Sequence, residues 1–159
     1  MGSAARLAAV VRILTGVIFI AEGLGKMLGE FVHGGFAKAA SGMMKEAWPF
    51  WRGILQSLVL PNASAFAWIV AGGELALGIA LLVGLWTRAA TAAGSLLMLS
   101  ILLGQSYPGP HAPWDKWITA GLTTKFALLL LLLLCAADTG RVWGLDGRGR
   151  GPRRGGLRR

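Results

Sequence analysis

"GIALLVGLWTRAATAAGSLLML" runs from Gly78 to Leu99, and its reading decides the fold. Two greasy halves flank the polar pair Thr87 and Arg88. The first half extends back to Ser64 and the second forward to Gln105. A helix needs about 20 residues to cross the hydrocarbon core of a bilayer. Helices that long, joined only by Thr87 and Arg88, must turn straight back on one another. The stretch therefore predicts a tight membrane hairpin, with span two over Ser64 to Trp86 and span three over Ala89 to Gln105.

The same criterion applied outward finds two more segments. Span one covers Ala5 to Leu28, and span four covers Trp117 to Ala137 with seven consecutive leucines from Leu128 to Leu134. The expected fold is all-α: an integral membrane four-helix bundle. Composition agrees. Mean hydropathy is +0.61 and 14% of residues are charged, against about a quarter in a soluble domain. The 159 residues suit one domain, read as a transmembrane unit over residues 1–146 and a basic, disordered Gly/Arg tail over 147–159. Arg6 and Arg12 precede a short apolar stretch, as in a signal peptide, but Glu22 stands where a small-residue cleavage site is wanted. An uncleaved first span is expected.

Lys and Arg set the orientation. With both termini inside, the cytoplasmic parts carry ten of them (Arg6, Arg12, Arg88 and those from Arg141 on), and the outer loops carry four: Lys38, Lys45, Arg52 and Lys116. Tryptophans mark the same interfaces, with Trp48, Trp51, Trp68, Trp114 and Trp117 outside and Trp86 and Trp143 inside. The first outer loop, Gly29 to Ala63, is long. Trp48, Trp51, Leu55 and Leu58 recur in it at helical spacing with Pro49 suited to a first turn, so Pro49 to Leu60 reads as an interfacial helix on the outer surface. Phe36, Ala40 and Met43 suggest a shorter helix before it, and Asn62 reads as the cap of span two.

Four charges fall within spans: Glu22, Lys26, Glu74 and Lys125. Each costs at least ~2.5–3.5 kcal/mol at a helix centre. Glu22 and Lys26 share a face at i, i+4. At 1.5 Å per residue Glu74 lies ~15 Å and Lys125 ~12 Å below the outer ends of their spans. All four can meet at one depth, with zero summed charge. Such a network serves either as structural glue fixing helix register or as a binding or proton-exchange site. Gly23, Gly25, Gly29, Gly72, Gly73, Gly78 and Gly84 sit in or beside the spans, and "GKMLG", Gly25 to Gly29, has the small-xxx-small spacing; the expected meaning is close helix packing, the alternative room for a flat ligand.

Several chemistries are disfavoured. Cys135 is the lone cysteine, so a disulfide, a CxxC pair and a cysteine zinc site are excluded. His33 and His111 fall in outer loops, and no histidine lies in a span to hold a haem. No nucleotide-binding glycine loop or metal-binding helix motif is present. The basic residues gather in the tail rather than on a folded face, which argues against nucleic acid as a partner.

Four stretches together carry a family likeness: "RILTGVIFIAEGLGK" (Arg12–Lys26), "GGFAKAASG" (Gly34–Gly42), "AGGELALGIALLVGLWTRAATAAGSLLML" (Ala71–Leu99) and "DTGRVWGLD" (Asp138–Asp146). From Arg6 to Asp146 the chain resembles the DoxX family of small bacterial membrane proteins. The resemblance implies a four-helix bundle in the bacterial inner (plasma) membrane and a link to redox chemistry. The related DoxD-type chain is the membrane subunit of a thiosulfate:quinone oxidoreductase, and other relatives are associated with oxidative-stress defence through soluble partner enzymes. Quinone is thus the implied cofactor, a partner oxidoreductase subunit the implied electron source, and Glu22, Lys26, Glu74 and Lys125 the candidate quinone site. The alternative is a non-catalytic anchor that docks an enzyme through the outer helix or the arginine tail; a third reading is a small-solute or proton conduit.

The orientation makes a direct expectation. Cysteines introduced at Lys45 or Ala112 should react with a membrane-impermeant maleimide added from outside, and a cysteine at Gly149 should not. Labelling of Gly149 from outside would reverse the assignment.

Overall fold

The computed structural model describes residues 3–137 and 139–147, and the expected disordered tail falls outside these apart from Gly147. The described residues form helices and no strand. Helix α1 spans Ser3–Leu28, and a 3-10 turn over Glu30–His33 leads to α2, Gly35–Met43. Pro49 opens α3, Pro49–Ile54, which continues as a π-helical turn over Leu55–Val59. Then come α4, Ala63–Val83, and α5, Thr87–Gln105. Helix α6, Trp114–Thr119, and α7, Leu122–Ala136, complete the chain before two 3-10 turns, Thr139–Arg141 and Leu145–Gly147. The sequence-predicted loop helices and the tight α4–α5 hairpin are all present.

Helix α1 packs along α4, and α5 along α7. Phe19, Leu77, Leu81, Met98 and Leu131 join the two pairs in one core. The α1–α4 contact is a backbone contact. A Cβ added to Gly23 would lie 2.6 Å from the Leu75 amide nitrogen, and one on Gly78 would lie 2.6 Å from that of Ile20 and 2.8 Å from the Gly16 carbonyl oxygen. Membrane helices gain little from excluding lipid, so such close approach is the main source of their cohesion. The expected "GKMLG" seam is corrected here. Gly25 meets nothing, and Gly29 meets only the Gly25 carbonyl of its own chain. Of the glycines expected to pack, Gly23 and Gly78 do so, joined by Gly16, seven residues before Gly23 on the face of α1 turned to α4.

At the end of the bundle where α1 begins, Arg12 is fully buried. Its guanidinium donates to the carbonyls of Thr139 at 2.8 Å, Val142 at 3.1 Å and Trp143 at 3.3 Å. A few residues on, Asp146 accepts from the Trp86 amide at 2.7 Å and the Thr87 amide at 2.8 Å, capping the start of α5. Burial pushes the Asp146 carboxyl up, but the hydrogen bonds from Thr87 and Trp86 and the charge of Arg12 outweigh it and hold the group below the usual carboxylate range. The turn between α4 and α5 needs Gly84, whose φ is +66° and where a Cβ would meet the Arg12 guanidinium and Gly144. Arg12, counted from sequence as a flanking cytoplasmic charge, is thus the clamp for the segment that follows α7.

Span four differs most from its expectation. Among the described residues three helices (α1, α4 and α5) are long and apolar enough to cross a bilayer, and α7 has only 15 residues. The predicted helix from Trp117 is broken between α6 and α7 at Gly121, φ +64°. Asn62 also departs from its expected role. It precedes α4, but its side chain donates back to the Leu58 carbonyl at 2.9 Å instead of capping.

The backbone contact predicts a sharp contrast between glycines. Gly78→Leu should destabilise the bundle by about 1–3 kcal/mol or more through overpacking. Gly25→Ala, which has open space, should be neutral or gain up to about 1 kcal/mol of helix propensity. Equal melting temperatures for the two variants in detergent would contradict the contact.

Candidate functional site

Glu22 and Lys26 occupy one face of α1, one turn apart, as their spacing requires. The backbone contact at Gly23 brings α4 close beside them, because Leu75 and Ala71 lie against that glycine. Glu74, next to Leu75, is thereby carried to Lys26. The Lys26 ammonium lies 2.5 Å from Glu74 Oε2 and 3.3 Å from Glu22 Oε2. It also sits 5.7 Å from the centre of the Phe31 ring, on the cation–π side of that aromatic. Exposure is graded across the three side chains: 63% for Glu22, 24% for Lys26 and 3% for Glu74.

Lys26 and Glu74 face a cavity of about 450 Å³. Its walls come from helices α1 to α5 and the two short turns between them. Helix α2 and the turn before it supply Phe31, Phe36 and Met43, and α3 with its π turn supplies Trp51, Ile54, Leu55 and Leu58. Helix α4 adds Phe66 and Val70, and α5 adds Leu97, Ser100 and Ile101. The lining is apolar except for the ion pair and the Ser100 hydroxyl, which donates to the Leu97 carbonyl at 2.7 Å and keeps its oxygen lone pairs. Glu22 does not line the cavity; its carboxylate meets Lys26 one helical turn away on α1.

Three of the four sequence-predicted residues therefore meet, and Lys125 does not. Its ammonium donates to the carbonyls of Trp117 at 2.8 Å and Ile118 at 3.1 Å, and it forms no ion pair among the described residues. The reason is the break at Gly121. That break leaves the last carbonyls of α6 without helical partners, and Lys125, in the first turn of α7, supplies them. A continuous span four would have carried it deeper.

The cavity walls were not legible as a site. Trp51 and Leu55 stood out in sequence only as a helical stripe. Met43 stood out only in the short helical stripe with Phe36 and Ala40, and Phe66 and Ser100 carried no signal, because each is an ordinary residue of its helix until the loop helices fold over α4 and α5. An aromatic knot fixes that fold-over. Trp48 packs on Tyr107 (ring centres 5.2 Å apart) and on Trp117 (5.8 Å), and its indole N–H donates to Ser106 at 3.0 Å. The Trp48 amide donates to the Leu103 carbonyl and the Tyr107 amide to that of Glu46, which pins α3 to the end of α5.

Long apolar helices, cohesive through glycine contacts rather than a water-excluded core, define an integral membrane protein. The family profile of DoxX matches residues 7–104, a stretch that holds Glu22, Lys26, Glu74 and Ser100. The chain belongs to the DoxX family. No curated protein and no solved structure matches it.

The ion pair makes a measurable demand on stability. Lys26→Met should destabilise by about 3–5 kcal/mol, since it strands the buried Glu74 carboxylate. The double variant with Glu74→Gln should cost less than the sum of its single changes, as expected for groups in contact. Lys125→Met should cost less than Lys26→Met. Strict additivity in a double-mutant cycle would show that the two side chains do not interact.

Proposed function

We propose that this chain is the quinone-binding membrane component of a bacterial redox system. The observation that carries the reading is the apolar cavity with a single polar pole, Lys26 and Glu74. Its volume of about 450 Å³ falls within the ~300–1,000 Å³ of small-molecule sites. The polar pole at the cavity, Lys26 and Glu74, is one ammonium and one carboxylate, so it is formally neutral and offers an anionic head group no net positive charge. A neutral carbonyl can accept a hydrogen bond from Lys26, and a quinol hydroxyl can donate to Glu74. Ile54 and Leu58, both exposed as well as lining the cavity, make an apolar mouth suited to a lipid-soluble tail. The chain supplies binding and orientation; a partner oxidoreductase subunit supplies the electrons. Resemblance to the DoxD-type subunit of thiosulfate:quinone oxidoreductase supports the same reading, and oxidative-stress defence is the other redox setting that family likeness suggests.

In this reading the chain crosses the inner membrane four times with both termini cytoplasmic, α6 and α7 together making the last crossing. The end that carries α2, α3 and α6 then faces outward. Helix α3 lies in the outer interface, with Phe50, Ile54 and Leu58 exposed along one side. A second reading, an anchor for a partner enzyme, is favoured by the exposure of Phe50 (62%) and Trp114 (76%) at that same end.

Binding can be measured by titrating a decyl-substituted benzoquinone into the purified protein in nanodiscs and following tryptophan quenching. The parent should bind saturably. Glu74→Gln and the cavity-filling Val70→Trp should each weaken binding about tenfold or more, the equivalent of roughly 1.4 kcal/mol. A folded parent that shows no saturable binding would leave the anchor reading in its place.

A further inference from the structure

Resting on the quinone reading, we infer that Glu22 is the proton-transfer residue that connects the cavity to the outside of the bundle. Glu22, Lys26 and Glu74 form a continuous line, with Lys26 3.3 Å from the first carboxylate and 2.5 Å from the second. Only Lys26 and Glu74 reach the cavity. Glu22 is the exposed member, about 9 Å below the loop end of α1 at 1.5 Å per residue. The i, i+4 spacing accounts for the Glu22–Lys26 pair on α1, and the same ammonium also closes on Glu74 at the cavity. Two acids share one ammonium, which links the cavity to the outer carboxylate without a gap. Helix α1 has 26 residues, ~39 Å at 1.5 Å per residue, so when it is centred on a ~30 Å hydrocarbon core Glu22 lies only ~5 Å inside the core boundary, within reach of interfacial water.

A quinone held here would receive two electrons from a reduced centre of the partner subunit and two protons, one on each carbonyl oxygen. The carbonyl at the polar pole would take its proton as an N–H bond of Lys26 breaks and an O–H bond forms; the carbonyl across the ring would take the second from hydronium, which leaves as water. Hydronium would then protonate the Glu22 carboxylate and leave as water, and that O–H bond would break as the N–H bond of Lys26 re-forms. Glu74 remains in contact with Lys26 throughout and holds its side chain toward the cavity. Glu22 thus acts on the quinone through Lys26 and is a positioning and relay residue, not one that touches the ligand.

The test uses the full-length protein in nanodiscs loaded with the decyl-substituted benzoquinone and reduced at an electrode through a soluble mediator. Proton uptake is followed with a pH indicator, and the carboxylic acid C=O band by infrared difference spectroscopy. In Glu22→Gln, quinone affinity should stay at the parental value while proton uptake slows by about 10²-fold, the scale of one positioned proton-transfer group. Glu22→Asp should recover part of the rate. Added formate, a small diffusible acid, should restore uptake in Glu22→Gln, which loss of fold would not permit. Parental uptake rates in a Glu22→Gln protein that binds quinone would overturn the relay alone. Absence of quinone binding by the parent would overturn the functional reading and the relay with it.

Discussion

The contact on which the rest of this molecule depends is the approach of two backbones, α1 and α4, through Gly16, Gly23 and Gly78. In lipid, hydrophobic burial does not distinguish a helix neighbour from an acyl chain, so van der Waals contact and buried polar pairs must supply cohesion. The glycines provide the first and bring about the second. Because Gly23 admits Leu75 and Ala71 to van der Waals range, the neighbouring Glu74 reaches Lys26 without stretching either side chain. A larger residue at Gly23 would separate the helices, open the ion pair and leave a carboxylate unpaired in an apolar wall.

The two ends of the bundle are held by different physics. At the Arg12 end the ties are polar and nearly all run to backbone. Arg12 gathers three carbonyls, Asp146 takes two amides, and the Asp146 amide donates to the Gly84 carbonyl at 2.9 Å. Trp86 and Trp143 hold the left-handed conformation there, with φ of 48° and 52°, a strained state for bulky residues that these hydrogen bonds over-determine. At the loop end the ties are mainly aromatic, through Trp48, Tyr107 and Trp117. A tightly bonded end opposite a layer of short helices suits a bundle whose cavity lies beneath that layer.

Much of this was readable from particular residues. The apolar runs gave α1, α4 and α5 nearly to their ends, Thr87 and Arg88 gave the hairpin, and Pro49 with its helical stripe gave α3. Glu22, Lys26 and Glu74 were recognisable because charge is expensive in a greasy helix wherever it points. Lys125 satisfied the same rule and yet stands elsewhere. The rule detects a buried charge but cannot say which partner answers it, and the break at Gly121 offered Lys125 the carbonyls of α6. Gly23 and Gly78 stood among the glycines read as packing residues, but Gly16 did not, and the seam was placed at Gly25 and Gly29 for a related reason. Gly25 and Gly29 fit a familiar spacing, but spacing does not reveal which face of α1 turns to α4.

The sequence by itself determined that the chain is helical and membrane-embedded, where its long helices lie, and that acids and bases are set within them, because hydropathy and the cost of desolvating charge are properties of local segments. Only the tertiary structure decided which glycines touch, which charges pair and that a cavity exists at all. Those follow from the relative rotation of helices and the folding of the first loop over α4 and α5, through contacts between residues far apart in the chain. No local pattern encodes them, since Ser100 or Met43 becomes a wall of the cavity only when Lys26, Trp51 and Phe66 arrive to form the others.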